Sequence, residues 1–189
     1  MHLLVNADVS IAALPVARES VGGFGIMKLD DSGRVVEFVE KPKDQAVVDH
    51  FRTSAAWIDA RGIASRGREH LASMGIYLFN RDLLVDLLTN FNYQDFGKEV
   101  FPHSIKTHHV QAHLFDGYWE DVGTIRSFYD ANLAIASASP PFNFVDEGAP
   151  IYSRARQLPS TRIEGATVSN SLISDGCVAA VNDAITCFT

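Results

Sequence analysis

Apolar and small residues alternate over 8–16, a period of two that predicts a strand ending at Pro15. Two further apolar runs follow at 24–29 and 34–39. The Asp30-Asp31-Ser32-Gly33 spacer between them is rich in turn residues, so the pair predicts a β-hairpin. Pro42 closes the second strand, because it has no N–H for a sheet ladder. The stretch 44–71 is mixed and polar, with 44–51 compatible with a short helix. Ser73-Met74-Gly75-Ile76-Tyr77-Leu78-Phe79 predicts a buried strand. Asn80 then stands as N-cap to a helix with Leu83, Leu84, Leu87 and Leu88 on one side. A further helix is expected over 96–105, interrupted or begun near Pro102, and 110–115 alternates as a strand does. The last helix is expected to start from an N-cap at Thr124, with Ile125, Phe128, Tyr129 and Asn132 on one face.

Strands alternating with helices predict an α/β layer structure. Four of the seven prolines fall at 140, 141, 150 and 159, so 137–160 is expected to be a linker. Beyond it Ile163, Val168, Ile173 and Val178 recur at an even step with small and polar residues between them. That texture suggests the start of a parallel β-helix over 161–189, with a pair of ordinary short strands as the alternative. The next step falls on Asp183, so only one or two coils are expected.

Composition narrows the class. With 189 residues, 47% hydrophobic and 21% charged, the chain can bury one good core, or one and part of another. A net charge of −7 argues against a nucleic-acid surface. The longest apolar stretch, 9–17, is interrupted by Pro15 and is too short to span a bilayer. Cys177 and Cys187 match no metal or redox spacing, so two free thiols in a reducing compartment, the cytoplasm, are expected. His103, His108, His109 and His113 crowd one segment but straddle a helix, a loop and a strand, which favours a surface cluster over a metal site. No Gly-x-Ser-x-Gly elbow exists, and Gly22-Gly23-Phe24-Gly25 has no P-loop lysine after it.

Two motifs carry candidate chemistry. Phe38-Val39-Glu40-Lys41-Pro42 puts a carboxylate beside an ammonium at a strand end. Lys is a point charge suited to phosphate, and Glu is an acceptor-only partner for hydroxyls; the bland alternative is a solvated ion pair. Tyr118-Trp119-Glu120-Asp121-Val122-Gly123-Thr124 sets acids and an aromatic ring before a helix. Its carboxylate could hold Mg²⁺ and Trp119 could stack on a sugar; equally, Trp119 is core, Asp121 complements the helix dipole and Thr124 is a cap.

With Phe24-Gly25-Ile26-Met27, the 73–79 strand and Asp95-Phe96-Gly97-Lys98-Glu99, these motifs resemble the sugar-nucleotide pyrophosphorylases. Within that group the chain is most similar to the glucose-1-phosphate adenylyltransferases, over about 7–177. The resemblance implies a partial Rossmann-like nucleotidyltransferase sheet with flanking helices, followed by the beginning of a left-handed parallel β-helix. It divides the chain into a sugar-phosphate-binding half-domain at 1–136, a linker at 137–160 and a truncated β-helix start at 161–189. It implies that Lys41 binds the phosphate of glucose 1-phosphate and acts with Asp121 in catalysis. Glu40, Ser73 and Asp95 would bond sugar hydroxyls. Tyr77, Phe96 and Trp119 would shape the pocket, and Gly25 would permit close backbone approach. Asp121 would help hold Mg²⁺ as cofactor, and ATP would be the second substrate.

The resemblance also implies departures. The family's glycine-rich nucleotide loop and a second metal-binding aspartate have no counterpart ahead of residue 7, so the ATP site is expected to be incomplete. Two functions follow from different classes. One is the adenylyltransferase of glycogen or starch synthesis, a homo- or hetero-oligomer when full length, with no nucleic-acid or membrane partner. The other is a non-catalytic truncated or regulatory chain that binds sugar phosphate or a full-length partner subunit, with an exposed sheet edge that favours association.

Overall fold

A computed structural model describes the chain except residues 1, 92, 138, 143–145, 147, 153–156, 170, 172, 181–185, 188 and 189, and except the side chains of 180, 186 and 187. It forms two compact units, Met1–Gly117 and Tyr118–Thr189.

The first unit is built on a mixed five-stranded sheet. Its strands are β1 (Val9–Val16), β2 (Gly25–Leu29), β3 (Val35–Glu40), β4 (His70–Phe79) and β5 (Val110–Leu114), in the order β3-β2-β4-β1-β5. β2 and β3 form the expected hairpin, with Gly25 opposite Glu40. Asp30 Oδ1 closes its turn by accepting the N–H of Ser32 at 2.9 Å and of Arg34 at 3.0 Å, an Asx turn. β1 runs antiparallel to β4 and parallel to β5. Pro15 does not end β1; it pairs with Leu71 where β5 has already stopped, so no donor is missed on that side.

Alternation along the strands makes two apolar layers. Val9, Ile11, Ala13, Met27, Leu71 and Val110 face one side and pack with Ile58 and Phe101. Ile26, Ala72 and Val16 face the other and pack with Val48 and Phe51. Short helices supply the covers. α1 (Gln45–His50) is capped by Asp44, whose Oδ1 accepts from Ala46 N–H. α2 (Ala55–Asp59), which the polar 44–71 stretch does not advertise, is capped by Ser54 and buries Ile58. α3 (Arg81–Asn90) follows β4 as expected and buries Leu87, while Leu88 is exposed. Asn80 holds the N-cap position without a capping bond, because its amide donates to Ala7 C=O instead. The 96–105 helix is interrupted as expected: Phe96–Val100 wind as a π-turn, and α4 (Phe101–Thr107) carries Pro102 in its first turn.

The 73–79 strand is buried only to Met74, which corrects the expectation of a buried strand throughout. β1 covers one edge of β4 along its length, but β2 pairs with the other edge only at Leu71 and Ala72. Beyond that point Ile76 and Leu78 are 54% and 60% exposed.

In the second unit α5 (Ile125–Ile135) begins at Thr124 as expected. Thr124 and Ser127 exchange side-chain and backbone bonds in a reciprocal cap. The face with Ile125, Phe128 and Tyr129 is exposed, and Ala131 is the buried residue. The described residues of 137–160 carry no helix or strand. After them β6 (Arg162–Glu164), β7 (Cys177–Ala180) and β8 (Thr186–Cys187) form a small sheet. β6 and β7 are parallel, but β8 returns antiparallel, so among the described residues one parallel step is present and a β-helix start is not shown. Asp183 lies outside the described residues. Cys177 is buried and disulfide-bonded, opposite Cys187 in register, which corrects the expectation of two free thiols. Cysteine state therefore gives no support to a reducing compartment. Among the described residues no helix is long and apolar enough to cross a membrane.

Candidate functional site

The first unit gathers seven of the nine predicted site residues at one end of the β2–β3–β4 sheet. The hairpin register sets Gly25 beside Glu40. A Cβ at Gly25 would overlap the Phe38 ring and stand 2.6 Å from Glu40 Oε2; one at Gly97 would stand 2.7 Å from the same oxygen. The Glu40 carboxylate lies close to both backbones, and at Gly25 the Phe38 ring closes the space as well. Gly25 thus admits side chains of the protein itself. Gly97 carries no signal of its own in the sequence, since its contact with Glu40 is made only in the folded chain.

Glu40 is held there with little of its hydrogen-bonding capacity used. Its side chain is 25% exposed, and among the described residues no donor reaches it within hydrogen-bond distance; Lys41 Nζ lies 3.9 Å from Oε1. Lys41 has φ +46, the left-handed region that is rare for a side-chain-bearing residue, and its N–H donates to Phe24 C=O at 3.0 Å. The buried Pro42 follows, so the ammonium leaves the end of β3 on a fixed backbone and remains 61% exposed.

A second carboxylate comes from the π-turn. Asp95 caps it, Oδ1 accepting from Lys98 N–H at 2.9 Å, while Glu99 reaches back to accept from Asp95 N–H at 3.0 Å. A Cβ at Gly97 would lie 3.4 Å from Asp95 Oδ1, so Asp95 and Glu40 converge on one point. Lys98 Nζ lies 3.9 Å from Asp95 Oδ2.

Aromatic rings form the wall. Tyr77 is near-parallel to Phe96, with ring centres 6.1 Å apart, and rests on Phe101 at 4.6 Å. Phe101 also packs Phe38 at 5.5 Å, which ties the wall to the core. Burial raises the Tyr77 phenol above its ordinary value; the hydrogen bond with Ser73 opposes this, and the charges of Glu40 and Asp95 add to it. Ser73 is buried, with Oγ 3.3 Å from Tyr77 Oη and accepting from Gly75 N–H.

Trp119 and Asp121 belong to the second unit. Trp119 is half-buried and Asp121 exposed. Asp121 Oδ1 accepts from Gly123 N–H at 3.1 Å, immediately before the Thr124 cap. Among the described residues nothing bonds Oδ2, an oxygen of the kind Mg²⁺ takes, since that ion is commonly held by one or two carboxylates with phosphates and water. Among the described residues no group of three His, Cys, Asp or Glu side chains could hold a metal ion. The histidines are dispersed: His103 packs on Phe91 at 4.8 Å, His108 bonds Thr107 at 2.7 Å and His109 bonds Gln111 at 3.1 Å.

A mixed α/β sheet with flanking helices, carrying acids, a lysine and stacked rings at one end, defines the Rossmann-like nucleotidyltransferase class of fold. The nucleotidyl transferase family model matches residues 2–138, and the chain belongs to that family. Membership implies transferase chemistry on nucleoside triphosphates and sugar phosphates in general.

Proposed function

We propose that the chain carries the sugar-phosphate side of a glucose-1-phosphate adenylyltransferase, which joins ATP and glucose 1-phosphate to ADP-glucose and pyrophosphate in glycogen or starch synthesis. One observation carries this reading. Glu40 is a carboxylate wedged between Gly25 and Gly97 with no donor among the described residues, beside a lysine whose head reaches solvent. A three-quarters-buried acceptor without donors suits a ligand that brings hydroxyls, and the adjacent ammonium suits its phosphate.

In this reading Lys41 binds the phosphate, and Glu40 and Asp95 accept from hydroxyls, with Ser73 as a further partner. Tyr77 and Phe96 wall the sugar. A phosphate oxygen of glucose 1-phosphate attacks the α-phosphorus of ATP in line, and the bond to pyrophosphate breaks as the new P–O bond forms. The protein's part is positioning and charge stabilisation. Mg²⁺ at Asp121 would neutralise phosphate charge.

The test is pyrophosphate release from ATP, glucose 1-phosphate and Mg²⁺. Release that needs the metal and is lost in Lys41→Ala and Asp121→Asn supports the catalytic reading. A folded chain that releases none yet binds glucose 1-phosphate through Lys41 keeps the sugar-phosphate side without catalysis, and a folded chain that binds no glucose 1-phosphate overturns the reading.

A second reading, a non-catalytic chain that works through a partner subunit, is favoured by the β4 edge. Over 73–79 that edge pairs with no strand on its β2 side among the described residues, and Ile76 and Leu78 are exposed beside it. Light scattering separates the cases, since a strictly monomeric chain leaves this reading without support.

A further inference from the structure

Glu40 and Asp95 both approach Gly97, and each has an ammonium beside it. Lys41 Nζ is 3.9 Å from Glu40 Oε1, and Lys98 Nζ is 3.9 Å from Asp95 Oδ2. Both separations exceed a hydrogen bond, so neither ammonium is fixed on its carboxylate. The lysine side chains are 61% and 70% exposed and can swing on their stems. The carboxylates are less free. Glu40 Oε2 and Asp95 Oδ1 both converge on Gly97, the residue before Lys98.

The charge balance then decides the matter. Glu40 and Asp95 with Lys41 alone leave one net negative charge where a phosphate carrying about −1.5 to −2 has to bind. Glu99, which accepts from Asp95 N–H, adds a third carboxylate, so Lys98 brings the net charge from −2 to −1 before the ligand arrives. Resting on the sugar-phosphate reading above, we propose that Lys98 is a second phosphate-binding cation, so that the site takes a phosphomonoester dianion through two lysines rather than one. Lys41 comes from the end of β3 and Lys98 from the π-turn, so the two ammoniums are supplied by different elements beside the Glu40 and Asp95 carboxylates. Glu40 and Asp95 remain for the hydroxyls.

The test is titration of the full chain with glucose 1-phosphate, comparing the wild type with Lys98→Gln and Lys98→Arg at several salt concentrations. Lys98→Gln is expected to weaken binding roughly ten-fold, the loss of one charge-assisted contact, and to flatten the decline of affinity with salt. Lys98→Arg should restore both, and neither variant should alter the melting temperature appreciably. A purely structural lysine would move the melting temperature and leave the salt dependence unchanged. Unchanged affinity in Lys98→Gln, with binding still lost in Lys41→Ala, overturns the second cation and leaves the sugar-phosphate reading intact. A folded wild-type chain that does not bind glucose 1-phosphate overturns both.

Discussion

Lys41 offers a substitution that should improve the fold while removing its function. Its φ of +46 places a side-chain-bearing residue in the left-handed region. That conformation costs about 1–2 kcal/mol for an L-residue. Glycine removes the cost but adds about 0.5–1 kcal/mol of unfolded-chain entropy. Lys41→Gly should therefore stabilise the first unit by about 0.5–1 kcal/mol, or roughly 1–4 °C in melting temperature for a chain of this size. Lys41→Ala keeps the strain and loses only a loose ion pair with Glu40 at 3.9 Å, so its stability should lie within about 0.5 kcal/mol of wild type. Both variants lose the ammonium and should lose affinity for glucose 1-phosphate to the same degree. Thermal melts and titrations on the three proteins read the two effects separately. If Lys41→Gly is no more stable than Lys41→Ala, the strain argument is wrong. If either variant binds as wild type does, the ammonium is not the phosphate contact.

The other predictions concern the wall and the carboxylate cradle. Gly97→Ala pushes a Cβ to 2.7 Å from Glu40 Oε2, the end of a flexible side chain, so affinity for glucose 1-phosphate should fall with little loss of melting temperature. Gly25→Ala should also destabilise, by about 1–3 kcal/mol in denaturant titration, because its Cβ overlaps a Phe38 ring packed on Phe101. Phe101→Ala removes the fully buried ring beneath Phe38 and Tyr77 and should cost about 3–5 kcal/mol, read by the same titration. Burial raises Tyr77 in the folded chain, so its stabilising contribution is present below the unfolded value of 10.0 and is lost as pH rises through the folded value. Tyr77→Phe should accordingly flatten the alkaline loss of stability measured above about pH 10.

Local chemistry made much of this fold legible. The Asp30-Asp31-Ser32-Gly33 turn, the Asp44 and Thr124 caps and the interruption near Pro102 each follow from side chains acting within a few residues. Long-range features were not legible. The half-covered β4 depends on where β2 stops pairing, and α2 rests on a Ser54 cap inside an unremarkable polar stretch. The antiparallel return of β8, which sets residue 177 opposite 187, was masked by the even aliphatic spacing. At the site, Glu40, Lys41, Ser73, Tyr77, Asp95 and Phe96 were readable as residue types in a motif. The approach of Glu40 to Gly97 was not, because the π-turn that makes it comes from a distant part of the chain.

Titration calorimetry of the purified chain with glucose 1-phosphate, beside Lys41→Ala, decides whether Glu40 and Lys41 form a sugar-phosphate site. Saturable binding in the wild type that disappears in the variant is the predicted result. A folded wild-type chain that takes up no heat of binding, or a variant that binds equally well, would contradict the assignment of Glu40 and Lys41 to a sugar-phosphate site.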